Sequence, residues 1–174
     1  MQNKLQEGLK LLPITFVVIA VDQFSKYWVK SNLLLNSPVN ILGNLLRFTY
    51  VENPGIAFGI RVGEYLPIIT LMTVLAIFVI IYYLYTERHS GIILRIGLVL
   101  ILGGAIGNLI DRTLMIFSPD SFLGVVDFID VGFGQLRWYV FNVADAAVTV
   151  GIIFYLGHLL LKGRAQDEPR DQLV

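Results

Sequence analysis

Several polar residues of this chain stand inside or at the ends of long apolar runs, where their chemistry is conspicuous. Asp22 and Lys26 close one run, Asn108, Asp111 and Arg112 close another, and Asn142 and Asp145 open a third. A charged side chain in a bilayer is costly, so it is normally kept there for a purpose. Asp22 and Lys26 are four residues apart, and the Asn108/Asp111 and Asn142/Asp145 pairs three apart, so each pair shares a helix face. Lysine and arginine beside the acids can keep Asp22 and Asp111 ionised and lock helices together, or they can touch a substrate; spacing leaves both roles open. Asp145 differs, having no basic neighbour at helical spacing, and Asp127 is likewise an acid in the apolar run Val125-Val126-Asp127-Phe128-Ile129. Two unpaired carboxylates brought together cannot both ionise easily and share a proton; one then acts as general base on a water and the other as general acid. This is the arrangement of aspartic peptidases, and it needs neither a metal nor a nucleophilic side chain. On spacing alone Asp130 or Asp120 could stand in for Asp127.

The elements that must position these residues are four apolar segments, at about 11–28, 65–85, 92–114 and 138–161. The second has no Asp, Glu, Lys, Arg or His across about 21 residues, enough to cross a core of roughly 30 Å. The expected fold is an all-α membrane protein of four transmembrane helices, one domain over 1–174, with 162–174 as a polar, disordered cytoplasmic tail. The first segment follows a basic start like that of a signal peptide, but Asp22-Gln23-Phe24-Ser25-Lys26 stands where a small-residue cleavage site should be, so it reads as a retained helix. Alternating helix direction then brings Asp22, Lys26, Asn108, Asp111, Arg112, Asn142 and Asp145 to one membrane boundary. With four spans the termini share a side with the Arg88 loop. Setting Lys26 and Arg112 aside as site residues, the basic residues divide seven against four, which favours cytoplasmic termini and long loops facing outward. In the first of those loops, Leu46 to Val51 partly alternates and suggests a short strand.

Composition narrows the chemistry. Of 174 residues 56% are hydrophobic and 15% charged, well below the quarter usual in soluble domains. Net charge is zero, giving no reason to expect a nucleic-acid partner. The absence of cysteine excludes disulfides, thiol nucleophiles and Cys-ligated metals. His89 and His158 lie outside the polar cluster, and no HExxH motif or glycine-flanked serine with a partner histidine is present. Ser25 precedes Lys26, but adjacent helix residues point apart, against a Ser/Lys dyad. Gly103 and Gly107 form a GxxxG spacing, read as close helix packing.

Five blocks, in order, carry a resemblance: Val21-Asp22-Gln23-Phe24-Ser25-Lys26; Glu52-Asn53-Pro54-Gly55-Ile56-Ala57-Phe58; Gly103 to Arg112; Val125-Val126-Asp127-Phe128; and Phe141-Asn142-Val143-Ala144-Asp145-Ala146. Together they resemble the type II, or lipoprotein, signal peptidases of bacteria. The resemblance implies an aspartic endopeptidase of the inner membrane, without cofactor or metal, its active site on the extracytoplasmic side. Such enzymes cut a prolipoprotein before its diacylglyceryl-modified cysteine. By position in the motifs, Asp127 and Asp145 would be catalytic. Asn53, Asn108, Arg112 and Asn142 would surround the scissile bond, with Gly104 and Asp111 in the same motif and Asp22 and Lys26 holding the site together. It further implies a first outer loop that forms a small sheet and short helix cradling the substrate, a monomer in contact with membrane lipid, and inhibition by globomycin-type compounds. Ile56 departs from the pattern, where a small alanine is frequent.

Two other functions compete. A small proton- or ion-coupled transporter subunit would need a polar path across the bilayer, yet the second segment offers only Thr70 and Thr73. A structural subunit would use the Asp/Lys and Asp/Arg pairs as locks, but leaves Asp127 and Asp145 unexplained.

Overall fold

A computed structural model describes residues 10–55 and 65–167. Four long helices and a four-stranded antiparallel sheet follow one another as α1 (Leu12–Asn32), β1 (Pro38–Leu42), β2 (Leu46–Asn53), α2 (Leu66–Thr86), α3 (Ile92–Phe117), β3 (Val125–Phe133), β4 (Leu136–Arg137) and α4 (Val143–Asp167). Three of the helices, α2, α3 and α4 over Val143–Lys162, are long and apolar enough to cross a membrane.

α3 is the centre of the bundle, and its glycines determine how closely its neighbours approach. A Cβ on Gly103 would lie 2.8 Å from the Val18 Cβ of α1, one on Gly97 would lie 2.8 Å from the Gly151 carbonyl of α4, and one on Gly104 would collide with the Ala144 carbonyl. The expected packing role of the glycines is therefore met on two faces of α3. α1 buries Thr15, Asp22, Lys26 and Val29, a single stripe at helical spacing. Thr15 Oγ1 donates to the Val99 carbonyl of α3 at 2.9 Å. α2 buries Ile77 alone among its residues, so nearly all of this apolar helix faces away from the rest of the structure.

The sheet, in order β1-β2-β3-β4, is built from two separate connections. The first outer loop supplies β1 and β2, and the third connection adds β3 and β4. β2 pairs with β3 from Leu46↔Val131 to Asn53↔Val125 with a register shift between Phe48 and Val51. A small core of Val29, Tyr50, Val126 and Phe128 seats the sheet on the end of α1. Any short helix implied for residues 56–64 lies outside the described residues, as does Ile56.

The fourth helix departs from its expected bounds of 138–161. Trp138 to Phe141 is extended and bonds to β3: Trp138 N donates to Val131 O at 2.8 Å, and Phe141 O accepts from Ile129 N at 2.7 Å. A Trp-Tyr-Val-Phe run has strong strand preference, and the free edge of β3 satisfies its backbone. At the other end α4 continues to Asp167, so the first part of the expected disordered tail is helical; residues 168–174 lie outside the described residues. α1 and α3 each run about a turn beyond their expected ends, with Leu33 N bonded to Val29 O and Ser118 N to Leu114 O.

Candidate active site

α4 begins with a reciprocal cap. Asn142 Oδ1 accepts from Asp145 N at 2.9 Å, and Asp145 Oδ2 accepts from Asn142 N at 3.2 Å. This is a capping box, in which each side chain satisfies a backbone donor that a helix start would leave open. Asn142 is thus the cap of α4 rather than a residue of its first turn, and the cap fixes both it and Asp145. The amide of Asn142 reaches across to donate to Asp127 Oδ1 at 2.7 Å. Asn53, at the end of β2, donates to Asp127 Oδ2 at 3.0 Å. From α3, Asn108 Nδ2 donates to Asp145 Oδ1 at 2.7 Å.

The orientation of Asn108 is imposed from behind. Its Oδ1 faces Lys26 Nζ at 3.1 Å and also accepts from Asn142 Nδ2 at 3.2 Å. An ammonium carries donors only, so it holds the amide oxygen and leaves the amide NH2 for Asp145. Lys26 in turn sits between Asp22, 2.8 Å away, and Asp111, 2.7 Å away, with all three side chains buried. Asp22 Oδ1 accepts from the Ala144 amide at 2.8 Å, one of the open donors in the first turn of α4. Gln23, which spacing did not single out, completes this set. Its Nε2 lies 3.1 Å from each of Asp22 Oδ2, Asp111 Oδ1 and the Gly107 carbonyl. The only signal in the sequence was one more polar residue in an apolar helix.

Spacing left Arg112 open to two roles, a counter-charge beside Asp111 or a substrate contact. The ion pairs of this cluster among the described residues instead join Asp111 and Asp22 to Lys26. Successive helix residues point about 100° apart, and Arg112 turns away, acting electrostatically on Asp145, Asp111 and Asp127. A cavity of about 310 Å³ opens between α3, α4 and β3, bordered by Asp127, Asp145, Asn53, Asn108, Arg112 and Tyr139. Gly104 borders it too, pressed on Ala144 so that α3 and α4 can meet. The alternatives to Asp127 stand elsewhere. Asp130 accepts from Arg137 Nε at 2.6 Å and Thr49 Oγ1 at 2.9 Å, and Asp120 is exposed.

Asp127 is only 3% exposed. Burial above all, then the charge of Asp145, pushes its carboxyl up to about 7, against the hydrogen bonds of Asn53 and Asn142 and the charge of Lys26. A carboxyl that holds a proton near neutrality beside a second carboxylate can trade protons with a water and a carbonyl oxygen.

Residues 14–161 match the family model for signal peptidase (SPase) II. The chain belongs to the signal peptidase II family. Among its relatives is a lipoprotein signal peptidase of Clostridioides difficile (strain 630), 40% identical over 148 residues that cover 84% of this chain and 92% of the relative. Another, from Moorella thermoacetica (strain ATCC 39073 / JCM 9320), is 36% identical over 91% of this chain and 97% of its own. A bacterial membrane enzyme solved by the in meso method at 2.3 Å resolution shares the fold, with a TM-score of 0.75, 23% identity, and coverage of 100% of this chain and 95% of that one. The chain is therefore a bacterial membrane peptidase. The residues read from the signal peptidase II motifs lie together: Asn53, Asn108, Arg112, Asp127 and Asp145 border one cavity, while Asn142, Asp22, Lys26 and Asp111 lie behind or between them.

Proposed function

We propose that Asp127 and Asp145 are the catalytic pair of an aspartic endopeptidase, through which this signal peptidase II removes signal peptides from prolipoproteins just before the diacylglyceryl-modified cysteine. The observation that carries this reading is the common wall of one cavity shared by two acids, Asp127 held by the side-chain amides of Asn53 and Asn142 and Asp145 by that of Asn108. Among the described residues neither acid makes an ion pair, so the two remain available to share a proton.

In the proposed reaction the ionised carboxyl takes a proton from a water, whose oxygen bonds to the scissile carbonyl carbon. The protonated carboxyl gives its proton to the carbonyl oxygen. Collapse of the tetrahedral intermediate breaks the C–N bond as the carboxylate that gave its proton takes one back from a hydroxyl of the diol, and the proton first taken from water passes to the departing cysteine nitrogen. The pair returns to its starting protonation. Asn53 and Asn142 hold Asp127, and Asn108 holds Asp145. Arg112, which borders the same cavity, would meet substrate backbone carbonyls. Lys26, Asp22, Asp111 and Gln23 are positioning residues.

The site would lie at the outer boundary of the inner membrane, with cytoplasmic termini and α1 as a fourth span. The polar residues that make α1 less apolar than the others face inward on α3. Residues 1–174 would form one peptidase domain acting as a monomer, with the sheet cradling an extended substrate beside Asn53 and open to globomycin-type inhibitors. The transporter alternative gains no support from the family. Purified protein with a diacylglyceryl-modified prolipoprotein tests the reading. Cleavage should expose the lipid-bearing cysteine as the new N-terminus and persist under chelators and serine- or thiol-directed reagents. Complete loss on chelation would overturn the acid-pair mechanism.

A further inference from the structure

The end of the sheet remote from Asn53 and Asp127 is apolar and bare. Two tight turns meet there, each using a glycine at positive φ, Gly43 at 53° and Gly134 at 58°. They lie side by side, since Gly132 N donates to Leu45 O at 3.0 Å and Arg137 Nη1 to Asn44 O at 2.8 Å. Arg137 also bonds Asp130 through Nε at 2.6 Å and Nη2 at 2.9 Å, which braces both turns against the sheet. On this braced platform Leu42 is 62% exposed, Leu45 46%, Phe133 82% and Leu136 83%.

Burying a leucine or phenylalanine side chain is strongly favourable, so leaving four of them in water forgoes a large driving force. Clustered apolar exposure of this kind marks a surface that something covers. Three observations say what. Trp138 and Tyr139, with ring centroids 5.2 Å apart, follow β4 directly and precede the start of α4 at Val143 by only a few residues. Tryptophan and tyrosine just before a membrane span mark the interfacial layer. At the other flank, Trp28 of α1 packs edge-on against Phe48 of β2, so the half-exposed outer side of α1 continues onto the sheet. The charged groups nearest the turns are Arg47, bonded to Asn44, and Arg137, whose acid partner Asp130 is buried. The net sign is positive, complementary to anionic headgroups.

We propose that the paired turns are a lipid-seated foot, with Leu42, Leu45, Phe133 and Leu136 in the interfacial layer of the outer leaflet and Arg47 and Arg137 at headgroup level. Six residues at about 3.3 Å each separate Phe133 from Asp127, a lever of roughly 20 Å. Seating its far end fixes the depth and tilt at which Asn53 and Asp127 meet a membrane-borne substrate. The inference rests on the outward placement of the sheet, not on which acids catalyse.

The chain has no cysteine, so single spin labels can be placed without other changes. Phe133→Cys, Leu136→Cys and, as a solvent control, Asp120→Cys are labelled in the full chain and reconstituted in vesicles of phosphatidylglycerol and phosphatidylcholine. At 133 and 136, collisions with oxygen should exceed those with an aqueous nickel chelate several-fold, and at 120 the order should reverse. Nickel-chelate access at 133 and 136 equal to that at 120 would overturn the proposal. Protection from both reagents that disappears on diluting protein into excess lipid would overturn it in favour of a second copy as the cover. Either label position suffices if the other variant does not fold. The readout needs no activity, so it is separable from failure of the catalytic assignment.

Discussion

Replacing Asp127 by asparagine should end cleavage and yet stabilise the protein, by an amount that depends on pH. Burial and the charge of Asp145 raise the Asp127 carboxyl from 3.8 to about 7. An acid whose pKa is higher folded than unfolded binds its proton more tightly when folded. The cost of ionising it is absent below its unfolded pKa, grows as pH rises toward about 7, and is complete above that. A shift of roughly three units, at about 1.4 kcal/mol each, makes that cost on the order of 4 kcal/mol. Asparagine avoids it but has one acceptor oxygen where Asn53 and Asn142 both aim donors, at 3.0 and 2.7 Å. The donor left facing an NH2 costs about 1–3 kcal/mol. The balance favours Asp127→Asn by about 1–3 kcal/mol at pH 8 and is even or adverse near pH 4. Thermal unfolding of purified wild type and variant in one detergent, from pH 4.5 to 8 in steps, measures it, each kcal/mol being worth roughly 2–4 °C in a chain of this size. The difference in Tm should grow in the variant's favour up to about pH 7 and then level. A difference that is flat or shrinks with rising pH would refute the reasoning.

Other outcomes follow from the same geometry. The Asn53 donor lowers the pKa of Asp127, so Asn53→Ala should move the alkaline limb of kcat/KM to higher pH while reducing its maximum; a limb that stays in place or moves down contradicts this. Lys26→Met leaves Asp22 and Asp111 buried without their cation and should cost about 3–5 kcal/mol, read as a lower Tm together with loss of cleavage. Gln23→Leu should lower kcat more than it raises KM, because Gln23 touches the carboxylates around Lys26 and does not border the cavity. Gly104→Ala forces α3 from α4 at Ala144 and should abolish cleavage, whereas Gly157→Ala, with open space at its Cβ, should leave it intact.

The residues that meet at the site were legible in the sequence because membrane insertion makes a polar residue conspicuous. Asp22, Lys26, Asn108, Asp111, Arg112, Asn142 and Asp145 each interrupt or edge an apolar run, and the helices bring them into one cluster. Their pairing was less legible. Adjacency suggested Asp111 with Arg112, but Lys26 takes Asp111 from the neighbouring helix, an interhelical contact that spacing within one helix cannot reveal. β3 was hidden in what looked like a loop, since its buried run Val125 to Phe128 lacks the alternation of a half-exposed strand. The start of α4 is hidden for a related reason: Trp138 to Phe141 is apolar enough for a span, and pairing with β3 makes it extended. The cap role of Asn142 depends on that later start.

The central claim is that Asp127 and Asp145 act as a pair, and cleavage of a diacylglyceryl-modified prolipoprotein tests it most directly. Wild type would be compared with Asp127→Asn and Asp145→Asn, each shown by thermal unfolding to be folded. The account predicts product from wild type and none from either folded variant. Cleavage surviving in either one would contradict it and move catalysis to another acid.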